Sequence, residues 1–269
     1  MSLRQIDEVL RQAEETGTVK WIFFEGGEPF LFYPILAKGV ERARKKGFQV
    51  GIVSNAYWAT DRDDAIEWLR PMAEQGIADL SLSKDEYHGK KEVARNVRRA
   101  QRAARQLSVP VGVINIRGVE SYSCSPRRSS EGELYFRGRA SVKLTPKVKG
   151  RPWQTLDRCP EKPSESIRVH VDTYGNVQFC QGITLGNLWK KPLLKIVEGL
   201  DLDEHPIVGP LRRGGPRALA KERMVRPKKK YADACHMCYE IRCALRKKGE
   251  LKKILVPDQA YGVRAEDSS

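Results

Sequence analysis

The sequence predicts an α/β fold, a parallel sheet made from strand–helix repeats, followed by a smaller cysteine-rich region. Three observations predict it. In the first half, short apolar runs alternate with stretches of helical period, which implies right-handed βαβ units. Glycines and helix-capping residues punctuate the joins. Five of the six cysteines fall at or after Cys159, where the strand–helix alternation has ended.

The elements follow in order. Residues 4–16 place Ile6, Val9, Leu10 and Ala13 on one helical face. Val19 to Phe24 is a short apolar run of strand type, ended by Gly26-Gly27. Residues 34–46 read as a helix, with Pro34 in its first turn and Gly47 as its stop. Residues 48–53 are a second strand. Asp61 caps a helix running to about Gln75, closed by Gly76, and residues 77–82 are a third strand. Residues 90–106 form a helix whose exposed face carries Arg95, Arg98, Arg99, Arg102 and Arg105, and residues 109–116 a fourth strand. Parallel sheets of this kind place ligands beyond the C-terminal ends of their strands. The positions to watch are therefore Glu25 to Pro29, Ser54-Asn55, Ser83 to His88, and Asn115 onward.

After about residue 150 the style changes. Residues 167–172, the turn at 173–176 and residues 177–180 read as a β-hairpin. Residues 188–199 read as a short helix, the Pro/Gly/Arg-rich stretch after it as loop, and 239–253 as a final helix opened by a CxxC. Two domains are expected, 1–150 and 151–269. No apolar run approaches the ~18 residues of a membrane span, and no signal-peptide pattern is present. A cytoplasmic protein is expected, in which clustered cysteines read as thiolate ligands rather than disulfides. The net charge of +15 is concentrated in residues 127–151 and 210–230, which carry +6 and +8. Such segments could hold an acidic partner, a nucleic acid or an anionic substrate, or be solvated loops.

Four cysteines form a ligand pattern: Cys159, fifteen residues, Gly175, four residues, Cys180, a long gap, then Cys235, two residues, Cys238. A CxxC turn supplies two thiolates from one loop, and a hairpin with flanking cysteines supplies two more. Cys243 is left as a spare and Cys124 as a lone thiol. Four thiolates serve structural zinc as well as a [4Fe–4S] cluster, and spacing does not separate the two. Asp85, Glu86, Tyr87 and His88 sit where the sheet opens toward a substrate, and His88 there could move a proton. His170 and His236 read as structural.

Gly26-Gly27-Glu28-Pro29 directly after a strand lets the backbone turn sharply and leaves room for a ligand. This segment resembles the Gly-Gly-Glu-Pro motif of the radical S-adenosylmethionine (SAM) superfamily, which binds the amino group of the SAM methionine moiety. Further likenesses follow in chain order. Ser54-Asn55 is similar to the family's Thr/Ser-Asn-Gly, with Ala56 in place of glycine. Residues 81–88 resemble its Ser-Leu-Asp-x-x-His region, with an irregularity near Lys84, and Gly138-Arg139-Ala140 resembles a segment near the end of such barrels. Cys159-x15-Gly175-x4-Cys180, Gly186-Asn187-Leu188 and Cys235-x2-Cys238 resemble the auxiliary-cluster domains called SPASM and Twitch. With only Cys243 beyond them, the likeness is to the single-cluster Twitch type or a shortened SPASM domain.

The resemblance implies an incomplete (β/α)6-type partial barrel missing its first strand, joined to an auxiliary-cluster domain. It implies SAM binding by Gly26, Gly27, Glu28, Pro29, Ser54, Asn55 and Ser83. It implies an auxiliary [4Fe–4S] cluster on Cys159, Cys180, Cys235 and Cys238. A peptide or small-molecule substrate and an electron donor such as a ferredoxin or flavodoxin are the implied partners. The family's catalytic cluster needs a CxxxCxxC loop after the first strand, and no CxxxCxxC occurs in these 269 residues. This polypeptide is therefore expected not to cleave SAM, whether it is a truncated form or a natural short one. Two other readings stand beside an enzyme: a non-catalytic iron–sulfur scaffold or partner subunit, and a zinc-stabilised nucleic-acid-binding protein.

Overall fold

Ser2 starts the first helix: its hydroxyl accepts from Gln5 N at 3.3 Å while the Gln5 side chain accepts from Ser2 N at 2.8 Å. This reciprocal cap satisfies two amides that the first turn leaves open. The helix, α1 (Leu3–Glu15), buries Ile6, Leu10 and Ala13. The computed structural model that contains it describes residues 1–85, 90–116, 131–132, 134–163 and 168–263. The chain forms two units, Met1–Leu134 and Tyr135–Ser269. The first therefore ends ahead of residue 150.

In the first unit, β1 (Trp21–Phe24) is followed by a single 3-10 turn at Pro29–Phe32, then α2 (Tyr33–Lys45) and β2 (Gln49–Ser54). Next come α3 (Arg62–Glu74), β3 (Asp79–Asp85), α4 (Lys90–Gln106), β4 (Val111–Ile116) and a two-residue strand, β5 (Glu131–Gly132). Asp61 caps α3 as expected, accepting from Asp63 N at 2.7 Å and Asp64 N at 3.0 Å.

The strands lie in the order β1-β2-β3-β4-β5, and every pair is parallel. Sequential order without reversal, with right-handed crossovers, sends the connecting helices to one face. Alternation then sorts the side chains. Val50, Ile52, Leu80 and Leu82 have 0% exposure among the helices. The other face is lined by small residues in register, Val53 beside Ser81 and Ser81 beside Gly112. Gly51 on that face is held small by Phe23, whose ring would meet an added Cβ at 2.2 Å. The expected parallel α/β arrangement is thus present.

The second unit begins with α5 (Arg139–Lys143). A short strand, β6 (Arg151–Pro152), pairs antiparallel with β10 (Lys230–Tyr231). Between them lie β7 (His170–Val171), β8 (Asn176–Cys180) and β9 (Ile183–Asn187), one antiparallel sheet, and the helices α6 (Leu193–Glu198) and α7 (Val208–Glu222). The last helix is α8 (Ala234–Lys247).

Several expectations are corrected here. The hairpin has a third strand, β9, and Gly186-Asn187 ends it. The stretch expected as loop is α7. Its proline and glycine content is absorbed by a break at Gly214 and Gly215, where Gly215 takes φ +60°. Its start is capped by a histidine, a signal that the usual Ser/Thr/Asp/Asn rule does not contain: His205 Nδ1 accepts from Ile207 N at 3.1 Å and Val208 N at 3.0 Å. The final helix starts at Ala234, not Tyr239, because Asp233 caps it, accepting from His236 N at 2.6 Å. The CxxC therefore lies inside the first turns of α8, with Cys235 and Cys238 on one face.

Candidate functional site

Two sets of sequence-predicted residues must be placed, one in each unit. In the first, the loop after β1 and the end of β2 are tied together by one carboxylate. Glu28 is 7% exposed. Its Oε1 accepts from Ser54 Oγ at 2.9 Å and Phe30 N at 3.2 Å, and its Oε2 from Asn55 N at 2.7 Å. Ser54 Oγ in turn accepts from Trp58 Nε1 at 2.9 Å and Ala56 N at 3.1 Å. Ser83 Oγ donates to the Ser54 carbonyl at 3.4 Å. Six donors from three strand ends are thus satisfied in one network around this buried acid, as burial of a charge requires.

The glycines set the approach. Gly26 and Gly27 take φ +85° and +56°, and an added Cβ would meet nothing at either, so conformation rather than crowding calls for glycine. Pro29 then opens the 3-10 turn for which Glu28 is the cap. Ala56 stands at φ +59°, the left-handed region that glycine enters freely. Asn55 Oδ1 accepts from Tyr57 N at 2.9 Å, closing that loop. The carboxylate expected to meet a cationic ligand is thus engaged with the protein's own donors. Asp85 is described by its backbone only, and Glu86, Tyr87, His88 and Cys124 lie outside the described residues.

In the second unit, Cys159, Cys180, Cys235 and Cys238 all line one small cavity, together with Arg137, Glu161, Arg242 and a shell of apolar side chains. Cys243 is not among the lining residues. Cys180 comes from the end of β8, Cys235 and Cys238 from the start of α8, and Cys159 from the segment before β7. None of the described cysteines is in a disulfide.

Burial, aided by Cys238, pushes the Cys159 thiol up to about 12. Burial and the Asp233 carboxylate raise Cys235, and burial raises Cys238 against the pull of Arg242. Apart from a bound cation these thiols are therefore protonated at neutral pH, and binding a cation would expel protons. Among the described residues, no group of three or more His, Cys, Asp or Glu side chains is arranged to hold a single metal ion.

Two guanidinium groups reach this cavity. Arg137 donates through Nη1 to Cys180 Sγ at 2.6 Å and to Glu161 Oε1 at 2.9 Å. Arg242, 2% exposed, donates through Nη1 to the Gln181 carbonyl at 2.9 Å and Tyr261 Oη at 3.0 Å. Its Nε is buried with no hydrogen-bond partner among the described residues. Sequence reading passed over both. Arg137 was counted only within a basic stretch, whereas Arg242 sits one helical turn after Cys238 and was legible once the CxxC is placed on a helix. Both histidines named above are structural. His236 Nδ1 accepts from Ala232 N at 3.1 Å, which leaves Nε2–H to donate to Glu240 Oε1 at 3.1 Å. His170 pairs within β7 and β8.

With both sets placed, the comparisons with known proteins can be weighed. No family model matches the chain. One curated relative is YydG of Bacillus subtilis (strain 168), whose name provisionally assigns it to peptide biosynthesis. It is 30% identical over 88 residues. That match spans 33% of this chain and 28% of the relative's own length. No helix among the described residues is long and apolar enough to cross a membrane.

Proposed function

We propose that the chain is a radical SAM superfamily protein with a C-terminal auxiliary [4Fe–4S] domain of Twitch or shortened SPASM type, acting in the modification of a peptide. The observation that carries this reading is the thiol cavity: four cysteines chosen by spacing alone, spread over 80 positions, line one space. The Gly26-to-Pro29 and Ser54-Asn55 segments, joined through Glu28 at the ends of parallel strands, support the SAM side. The partial match to YydG supports the superfamily and agrees with a peptide substrate.

The donor set fits a cluster. Cys159, Cys180, Cys235 and Cys238 would hold it, and such a group supplies one-electron chemistry when bound. In a [4Fe–4S] cluster each thiolate binds a different iron, so four sulfurs line a space without meeting at one ion. Zinc instead needs all four at about 2.3 Å from one centre. The chain's own groups do the rest. Arg137 and Arg242 offset thiolate charge, the apolar lining excludes water, and the backbone of Gly26 and Gly27 leaves an open approach beside the strand ends. The whole enzyme's activity needs thiolates for a catalytic cluster, and this polypeptide has no CxxxCxxC.

Anaerobic reconstitution with iron and sulfide tests the reading. About four irons per chain and broad visible absorbance are expected, with no 5′-deoxyadenosine from reduced protein and SAM. A colourless chain holding one zinc would replace this reading with the zinc-stabilised one.

A further inference from the structure

The arginines at the thiol cavity are more than packing. Arg242 is nearly inaccessible, makes ring contacts with Tyr239 and Tyr261 at 5.6 and 5.5 Å, and still leaves Nε without a partner among the described residues. A buried charge is costly unless something compensates it. The carbonyl and phenol that accept from its Nη1 are neutral. Arg137 is different: its guanidinium bridges Cys180 and the Glu161 carboxylate, and the Arg137 and Glu161 side chains are 22% and 11% exposed. Four thiolates around a cluster of charge two-plus carry two negative charges in excess. Two guanidinium groups at the same cavity match that excess.

We propose that Arg137 and Arg242 form a cationic cradle that raises the reduction potential of the cluster, with Glu161 acting as a counterweight that lowers it. This rests on the cluster reading above. Reduction adds one electron to the cluster and no proton, so the reduced state gains from each nearby positive charge and loses from each negative one. These are positioning residues, and none of them needs to touch substrate. The signs are opposed within one contact: Arg137 and Glu161 sit 2.9 Å apart at the cavity wall and should move the potential in opposite directions.

The experiment is a dithionite titration of reconstituted full chain, followed by the spectroscopic signal of the reduced cluster, with iron counted per chain in every variant. Arg242→Met is expected to lower the reduced-to-oxidised ratio about tenfold at the wild-type midpoint, which is about 59 mV for a one-electron couple. Because loss of a buried arginine risks misfolding, the deciding pair is Arg137→Gln and Glu161→Gln. The first should make reduction harder and the second easier, while Arg137→Lys keeps a potential close to wild type. If the two variants hold wild-type iron and their potentials shift in the same direction, or not at all, the inference is overturned. A wild-type chain that takes up no iron overturns the cluster reading itself, and the cradle with it.

Discussion

Glu28→Gln separates a structural role of this carboxylate from a ligand role. The change is nearly isosteric and removes the charge without adding bulk. In the native fold three donors converge on the two oxygens: Ser54 Oγ and Phe30 N on Oε1, and Asn55 N on Oε2. An amide has one acceptor and one donor end. With its oxygen toward Ser54 and Phe30, its NH2 confronts Asn55 N–H. In the flipped orientation the NH2 confronts Phe30 N–H, and Ser54 Oγ already accepts from two other groups. At least one charge-assisted bond is lost either way, at about 1.5–3 kcal/mol, and the remaining bonds weaken to neutral ones. Relief of the buried charge offsets part of this. The net cost is about 3 kcal/mol, or roughly a 10 °C fall in Tm for a unit of this size. Urea unfolding gives the first number and thermal melting the second. Near-UV circular dichroism adds a local readout, since Phe30 stacks on Trp58 at 4.5 Å and Trp58 lies 6.3 Å from Trp68. A Glu28→Gln protein with wild-type stability but weakened SAM binding would refute this reasoning and return Glu28 to ligand duty.

Three further predictions concern the second unit. Gly215→Ala places a Cβ 2.5 Å from both the Asp157 carbonyl carbon and Arg158 N at a φ of +60°, so it should cost about 3 kcal/mol in strain and overpacking. Because that backbone leads into Cys159, bound iron should fall with it in the same preparation. Burial lowers the pKa of His205 from its ordinary 6.5, and its Nδ1 must stay unprotonated to cap α7. The stability it contributes is therefore complete above pH 6.5 and lost as the pH falls through the depressed folded-state value. Urea midpoints measured downward from pH 7.5 should drop more steeply in wild type than in His205→Asn. Finally, Cys243→Ala should retain the iron of wild type while Cys159→Ala loses it, and the reverse result would reassign the fourth ligand.

How much of this was legible beforehand depends on how local the determining physics is. α4 was bounded correctly at both ends, because a long amphipathic period carries its own evidence. The strands shifted by one to three residues, since glycines and caps bracket them. α7 failed for a different reason. Two prolines and three glycines outvote propensity in a local reading, yet a histidine cap and the burial of Val208, Leu211 and Leu219 decide the conformation, and both depend on tertiary neighbours. The site shows the same division. The four cysteines were recoverable because ligand spacing is a sequence property. Arg137 was not, since nothing in a run of basic residues distinguishes the one whose guanidinium reaches Cys180, 43 positions away. Arg242 falls between these cases. It follows Cys238 by one helical turn, and the same Asp233 cap that puts the CxxC on a helix also aims Arg242 at the thiols. Placing the helix start correctly would have turned a spare basic residue into a candidate partner for the cluster. The CxxC thiols and a guanidinium of the cavity they line are therefore written in one stretch of chain, and only the position of the N-cap is needed to read the second from the first.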